Sequence, residues 1–253
     1  MSSYLCTGGG RGLGLELVAQ LSRLPDSQVS TVFAATRSSP PAALKELIDG
    51  SKGRVVHVEM VITDKDSLKA GAAFVEKALD GKGLDVLVNN AGVMPAALDG
   101  IASMDNLGEG FKVNVEAVHY TTAAFLPLLR KGQQKRVFSI SSTVGSIAMS
   151  AGYSFAPIPS YKVSKAALNM LTVQYALELG KEGFTIFMVS PGYLKTDMSG
   201  DSADLSVEVG AKATLEILFR STKESNGKFY NIHVPGYENV EGPNRYDGKE
   251  VPW

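Results

Sequence analysis

Short apolar runs alternate with longer amphipathic stretches along most of this chain, and that rhythm leaves few architectures open. The strand-like runs are Tyr4–Cys6, Thr31–Ala35, Arg54–Val58, Leu84–Val88, Arg136–Ser139, Phe184–Val189 and Lys228–Ile232. They are apolar on both faces, as a sheet covered on both sides requires. Helical patterns lie between them, at Leu13–Leu21, Ala42–Ile48, Lys65–Leu79, Gly110–Leu129, Tyr161–Leu179 and Val207–Phe219. Strand–helix alternation of this kind predicts an α/β fold: an open, doubly wound parallel sheet of about seven strands with helices on both faces.

The 253 residues are enough for one substantial core, and with neither an internal repeat nor a low-complexity linker the reading is one domain over 1–253. From His233 to Trp253 the composition turns to Pro, Gly, Asn and Tyr with no helical period, so 233–253 reads as an irregular C-terminal tail packing on that domain. Apolar Tyr237, Pro243, Tyr246 and Trp253 would cover the site from there. Twenty-five basic against 26 acidic side chains give a net charge of −1, which provides no footprint for nucleic acid or an anionic membrane. No apolar stretch approaches the roughly 20 residues of a membrane helix. A strand entered by Tyr4 leaves no room for a secretory signal, and the lone Cys6 excludes an intrachain disulfide. Both fit a cytoplasmic protein. His57, His119 and His233 are scattered, so no metal is expected, and no serine sits in a nucleophile elbow.

The first strand runs straight into Thr7-Gly8-Gly9-Gly10-Arg11-Gly12-Leu13-Gly14, and a helix follows. This is the context in which a glycine loop binds a dinucleotide: Gly8 takes the tight turn, Gly14 allows close helix–sheet packing, and phosphates sit at the helix N-terminus. The sheet is then of Rossmann type. At the exit of the second strand stands Ala35-Thr36-Arg37-Ser38-Ser39, with no carboxylate for a ribose 2′-hydroxyl. Arg37 there and Arg11 in the loop point to NADP(H). Further on, Tyr161 and Lys165 are four residues apart, on one face of a helix. An ammonium beside a phenol is expected to lower the phenol's pKa and tune it for proton transfer.

The spacing Thr-Gly-x-x-x-Gly-x-Gly resembles that of the short-chain dehydrogenase/reductase family. So do, in order, Asn89-Asn90-Ala91-Gly92, Asn114 within Phe111-Lys112-Val113-Asn114, Ser141-Ser142-Thr143-Val144-Gly145, Tyr161-Lys162-Val163-Ser164-Lys165, and Ser190-Pro191-Gly192 with Thr196. The likeness covers essentially the whole chain and is strongest to the carbonyl-reductase and C-factor-like branch. The ending Gly227-Lys228-Phe229-Tyr230-Asn231 through Pro252-Trp253 is similar to fungal members, including polyketide ketoreductases of secondary metabolism. The resemblance implies a catalytic set of Asn114, Ser142, Tyr161 and Lys165. Ser142 is preferred over Ser139 and Ser141 because the family serine stands three residues before a glycine, here Gly145. Asn114 would help hold a water that links Lys165 to solvent. The implied cofactor residues are Thr7, Gly8, Gly10, Arg11, Gly12, Leu13, Gly14, Arg37, Ile62, Asn90, Ala91, Gly92, Tyr161, Lys165, Pro191, Gly192, Leu194 and Thr196.

There are two departures. Aligning Val61-Ile62-Thr63-Asp64 puts Val61 where the family carries an adenine-binding Asp, leaving contact to the backbone at Ile62. The Ser142-to-Tyr161 segment is also several residues longer than usual, with the extra residues within 150–157. Tyr153 and Phe155 thus become candidates for the lip of the substrate pocket, alongside Met94, Ser142, Tyr193 and the Met198–Leu205 segment; packing within the inserted loop is the equal alternative for the first two. The expected activity is NADPH-dependent reduction of a ketone or aldehyde to an alcohol, reversible, with Tyr161 as proton donor. Reduction of an imine or activated alkene on the same site is the alternative. A dinucleotide-sensing regulator without turnover is the reading from another class; such a protein would be expected to lose the Tyr/Lys pair. In many members of that family the helices equivalent to Gly110–Leu129 and Tyr161–Leu179 pair, which leaves a homodimer or homotetramer open.

Overall fold

The computed structural model describes residues 1–200, 202–242 and 244–253; Pro243 and Asp201, both inside segments singled out above, lie outside the described residues. All seven expected strands form, as β1 (Ser2–Thr7), β2 (Val29–Thr36), β3 (Val55–Glu59), β4 (Val86–Asn89), β5 (Arg136–Ile140), β6 (Thr185–Ser190) and β7 (Phe229–Asn231). They make one parallel sheet in the order β3-β2-β1-β4-β5-β6-β7, the Rossmann-type arrangement. The helices are α1 (Gly12–Arg23), α2 (Ala42–Gly50), α3 (Lys65–Leu79), α4 (Leu107–Phe111), α5 (Ala117–Lys131), α6 (Pro159–Leu179) and α7 (Val207–Arg220). The helix expected at Gly110–Leu129 forms, running unbroken from α4 through a wide π turn at Lys112–Glu116 into α5; the π turn, which the pattern does not reveal, holds the buried Asn114.

The chain divides into two compact units. The first comprises 1–91 and 117–138 and holds β1 to β4 with α1, α2, α3 and α5. β1 is buried along its whole length and pairs with β2 on one side and β4 on the other, with Tyr4 opposite Val32 and Val86. At its start the buried Asp85 carboxylate accepts from the Ser3 amide (2.9 Å), the Ser3 hydroxyl (3.2 Å) and the Gln133 amide (2.8 Å). Those donors offset the cost of taking the acid out of water.

The second unit comprises 92–116 and 139–253. β6 is buried throughout, and Phe184, Phe187, Phe229 and Ile232 stand in its core. The tail read as irregular has an order that its composition hid. It runs back antiparallel beside β7: Val251 N–H donates to Phe229 (2.8 Å), Asn231 N–H to Lys249 (2.9 Å) and Gly248 N–H to Ile232 (3.0 Å). These bonds cover the far edge of β7, which would otherwise offer unpaired backbone groups. No helix among the described residues is long and apolar enough to cross a membrane.

Candidate functional site

In the second unit Ile158 precedes α6 as its cap and Pro159 opens the first turn, where a missing N–H costs nothing. Tyr161 and Lys165 follow on successive turns. Lys165 is only 4% exposed; its Nζ donates to the Ile140 carbonyl (2.8 Å) and lies 5.4 Å from the centre of the Tyr161 ring. The end of β5 distinguishes the three serines. Ser139 is buried within the strand, and the Ser141 hydroxyl donates to Asn169 (2.5 Å). Ser142, half-buried, caps the short turn Thr143–Gly145 and hydrogen-bonds the Tyr161 hydroxyl. The glycine three residues on has a physical reason. A Cβ at Gly145 would stand 2.7 Å from the Lys165 Cβ, so only glycine lets this turn lie against α6.

Asn114 is 1% exposed, and its side chain is fully engaged. Its Oδ1 accepts from the Val93 amide and its Nδ2 donates to the Val93 carbonyl and to Ser164 Oγ, each at 2.9 Å; Ser164 in turn donates to the Tyr161 carbonyl (2.8 Å). The amide therefore clips the segment after β4 to the first turns of α6. Ser164 was missed in the sequence; its place one turn after Ser160 on the buried face of α6 was the available signal.

The titration directions differ from expectation. Burial pushes the Tyr161 phenol up to about 12, with the Ser142 hydrogen bond acting the other way. Lys165 does not prevail, because removing a phenolate from water outweighs an ammonium that already serves the Ile140 carbonyl. Burial lowers Lys165 itself to about 8.

In the first unit the glycine loop is held from both sides. Thr7 Oγ1 accepts from the Asn90 and Ala91 amides (3.0 and 3.1 Å), and Asn90 Nδ2 donates to the Thr7 carbonyl (2.8 Å). Gly8 has φ +68°, a left-handed conformation that favours glycine. A Cβ on Gly14 would collide with the Gly8 carbonyl oxygen, so Gly14 serves the closeness of helix to loop more than that of helix to sheet. Arg11 opens α1 in extended conformation without capping it through its side chain. Gly10 lies against Thr36 and Pro41, Gly12 and Leu13 start the helix, and Arg37 is exposed at the β2 exit. Thr36 Oγ1 there pairs with His57 Nε2 (2.7 Å), a partner that strand register supplies and sequence spacing does not. Asp64 is committed to capping α3, accepting from the Asp66 and Ser67 amides, while Val61 is exposed and Ile62 half-buried.

Back in the second unit, Gly92 and Met94 are half-buried beside the Val93 clip. Pro191 and Gly192 (φ +87°) end β6, Leu194 bridges Leu205, and Thr196 Oγ1 pairs with Ser199 Oγ (2.8 Å). The two candidate lip residues part company. Tyr153 is 3% exposed with its hydroxyl on Thr143 (2.6 Å), whereas Phe155 is 71% exposed. Tyr193 is exposed and Met198 beside it likewise. Among the described residues no three His, Cys, Asp or Glu side chains gather as a metal site. Cys6 is buried, its thiol pushed up to about 12.

Residues 3–205 match the family described as short chain dehydrogenase. A short-chain dehydrogenase/reductase of Aspergillus aculeatus, AacuF, is 37% identical over 92% of this chain and 98% of its own length. An uncharacterized oxidoreductase of Schizosaccharomyces pombe is 30% identical over 99% and 97%. Among solved structures, an NADPH-bound carbonyl reductase from chicken fatty liver superposes with a TM-score of 0.86 at 32% identity, covering 100% of this chain and 99% of the other. The Drosophila melanogaster carbonyl reductase Sniffer gives 0.84 at 30% identity over the whole of both chains.

Proposed function

The chain belongs to the short-chain dehydrogenase family of oxidoreductases, and we propose that it reduces a ketone or aldehyde with NADPH, using Tyr161 as the proton donor. The observation that carries this reading is the Ser142–Tyr161–Lys165 cluster, in which two hydroxyls are hydrogen-bonded to each other beside a buried lysine. Similarity to carbonyl reductases, one of them NADPH-bound, supports the substrate class and the cofactor.

The residues of the first unit fit a dinucleotide. Glycine at 8 and 14 lets the loop close on Asn90 and Ala91 and lie against the start of α1, whose first turn has no side-chain cap. On this reading Thr7, Gly8, Gly10, Arg11, Gly12, Leu13 and Gly14 hold the phosphates. Arg37 with Arg11 meets the 2′-phosphate, and Ile62 contacts the adenine by its backbone. Asn90, Ala91, Gly92, Pro191, Gly192, Leu194 and Thr196 lie along the rest of the cofactor, with Lys165 on the nicotinamide ribose. Bound in this way, NADPH supplies the hydride.

Ser142 orients the carbonyl oxygen, and Tyr161 gives that oxygen its proton. A phenol at about 12 is fully protonated at neutral pH, the form a donor needs, and the alkoxide it meets is a much stronger base. Lys165, at about 8, exchanges its own proton near neutrality and can restore that of Tyr161. The Asn114 amide holds α6 in place through Ser164.

The test is loss of NADPH absorbance across a panel of aromatic and aliphatic ketones and aldehydes, for parent and Tyr161→Phe. Parent turnover with a fall of about a hundredfold or more in the variant, and cofactor affinity within about threefold, is expected. A variant that keeps more than about a tenth of the rate would require another acid.

A further inference from the structure

We propose that the last eight residues, 246–253, form a brace that pins two loops at their roots, the one after Ser142 and the one beginning at Tyr193, and so sets which carbonyl compounds fit. The selectivity half of this proposal rests on the function proposed above.

One anchor is Tyr246, 3% exposed although it lies in the tail. Its hydroxyl donates to the Asp204 carboxylate (2.8 and 3.1 Å) and accepts from the Tyr193 amide (3.1 Å). Tyr193 and Asp204 are the two ends of one loop. That loop is drawn together at its neck, where Leu205 N–H donates to Tyr193 (3.1 Å) and Lys195 N–H donates to Leu205 (2.9 Å). Tyr246 therefore bonds both ends of the neck, and its ring packs over Gly192, where a Cβ would touch the ring and strike Leu205 and Ile232. Burial raises its pKa, so the hydroxyl keeps its proton and remains a donor.

The other anchor is the chain end. The Ser146 hydroxyl, 1% exposed, donates to the Pro252 carbonyl (2.5 Å) and accepts from the Met149 amide (3.2 Å); Ala148 N–H donates to the Trp253 carbonyl (2.9 Å). Val251 packs with Met188 and Phe229, and Met149 of the loop packs on the same cluster. Only three residues separate Ser142 from Ser146, so this end holds the loop whose first residue bonds Tyr161. Lys162 secures the loop's far end through the Tyr153 and Ala156 carbonyls (2.6 and 2.9 Å).

Between the anchors the tail is paired with β7, which gives it a fixed register and little slack. A segment that bonds polar groups of two loops at once sets how far apart they stand. The loops carry the exposed apolar side chains of this region, Ile147, Phe155, Tyr193 and Met198. Tyr246 and Ser146 are thus positioning residues: they touch the loops and not the reacting atoms.

The experiment uses the full chain with Tyr246→Phe, Ser146→Ala, Asp204→Ala and Asp204→Asn. Each is measured by steady-state kinetics on one small and one bulky ketone, by NADPH titration and by hydrogen exchange. Tyr246→Phe and Asp204→Ala are expected to raise KM for the carbonyl about tenfold, unequally for the two ketones, with kcat within about threefold and a smaller loss of NADPH affinity, since Leu194 and Thr196 stand in the loosened loop. Amides of residues 193–200 and 202–205 should exchange faster. Asp204→Asn keeps an acceptor for the Tyr246 hydroxyl and should stay near the parent. Ser146→Ala should quicken exchange at 146–153. Unchanged exchange in these loops would overturn the brace, and so would a KM change shared equally by both ketones or matched by lost cofactor affinity. If Tyr246→Phe does not fold, Asp204→Ala decides the same point. A parent that reduces no carbonyl would refute the proposed activity instead, and exchange alone would then decide whether the tail holds the loops.

Discussion

Lys165→Met should make the cofactor-free protein more stable at neutral pH while abolishing most of its activity. The folded protein holds this lysine at about 8 against an ordinary 10.5, because burial disfavours the ammonium. The distance between the two, at about 1.36 kcal/mol per pH unit, makes the buried charge cost about 3 kcal/mol. Methionine is of similar length and carries no charge, but it forfeits the hydrogen bond to the Ile140 carbonyl, worth about 1 kcal/mol. The net expectation at pH 7 is a gain of about 2 kcal/mol, or roughly 4–8 °C in melting temperature for a chain of this size. The sign depends on pH in a definite way. Below about 8 both folded and unfolded parent carry the charge, and the full cost stands. Between about 8 and 10.5 the unfolded chain holds a proton that the folded one lacks, so parent stability climbs with pH in that window. The advantage of the variant should therefore shrink above pH 8 and reverse by about pH 10.5. Denaturant unfolding of both proteins, without cofactor and at several pH values, measures the difference directly. A variant equal to or weaker than the parent at pH 7, or an advantage that does not change with pH, would refute the argument. NADPH binding should weaken in the same variant, and unchanged affinity would remove Lys165 from the ribose.

Gly145→Ala forces a Cβ into the Lys165 backbone and should lower stability by about 1–3 kcal/mol, with turnover falling as Ser142 moves from Tyr161; parental melting and kcat would show that the turn can shift at no cost. Arg37→Asp replaces attraction by repulsion at the β2 exit. A contact worth about 1.5–3 kcal/mol predicts a tenfold to hundredfold loss of NADPH preference in kcat/KM, with little change at saturating NADH; a parent that already uses both cofactors equally would overturn the NADP assignment.

The periodicity of the chain foretold all seven strands and nearly every helix, because burial on both faces of a strand and one face of a helix is written locally in residue type. The same holds for the glycine loop and for Tyr161 and Lys165, whose spacing alone puts them one helical turn apart. What spacing could not show is which partner each polar group meets. The π turn within the Gly110–Leu129 helix left no sign in the sequence, because it keeps the apolar pattern and changes only the register of the hydrogen bonds. The Asn114 clip, the Ser142–Tyr161 bond and the Thr36–His57 pair join residues 19 or more positions apart. The tail looked irregular because its order comes from backbone bonds to β7, which leave no trace in side-chain periodicity. Proton affinities belong to the same class. From the helix alone, a lysine one turn from a tyrosine lowers the phenol's pKa; in the folded protein Lys165 is buried and Tyr161 half-buried, and desolvation, which only tertiary packing determines, raises the tyrosine and lowers the lysine.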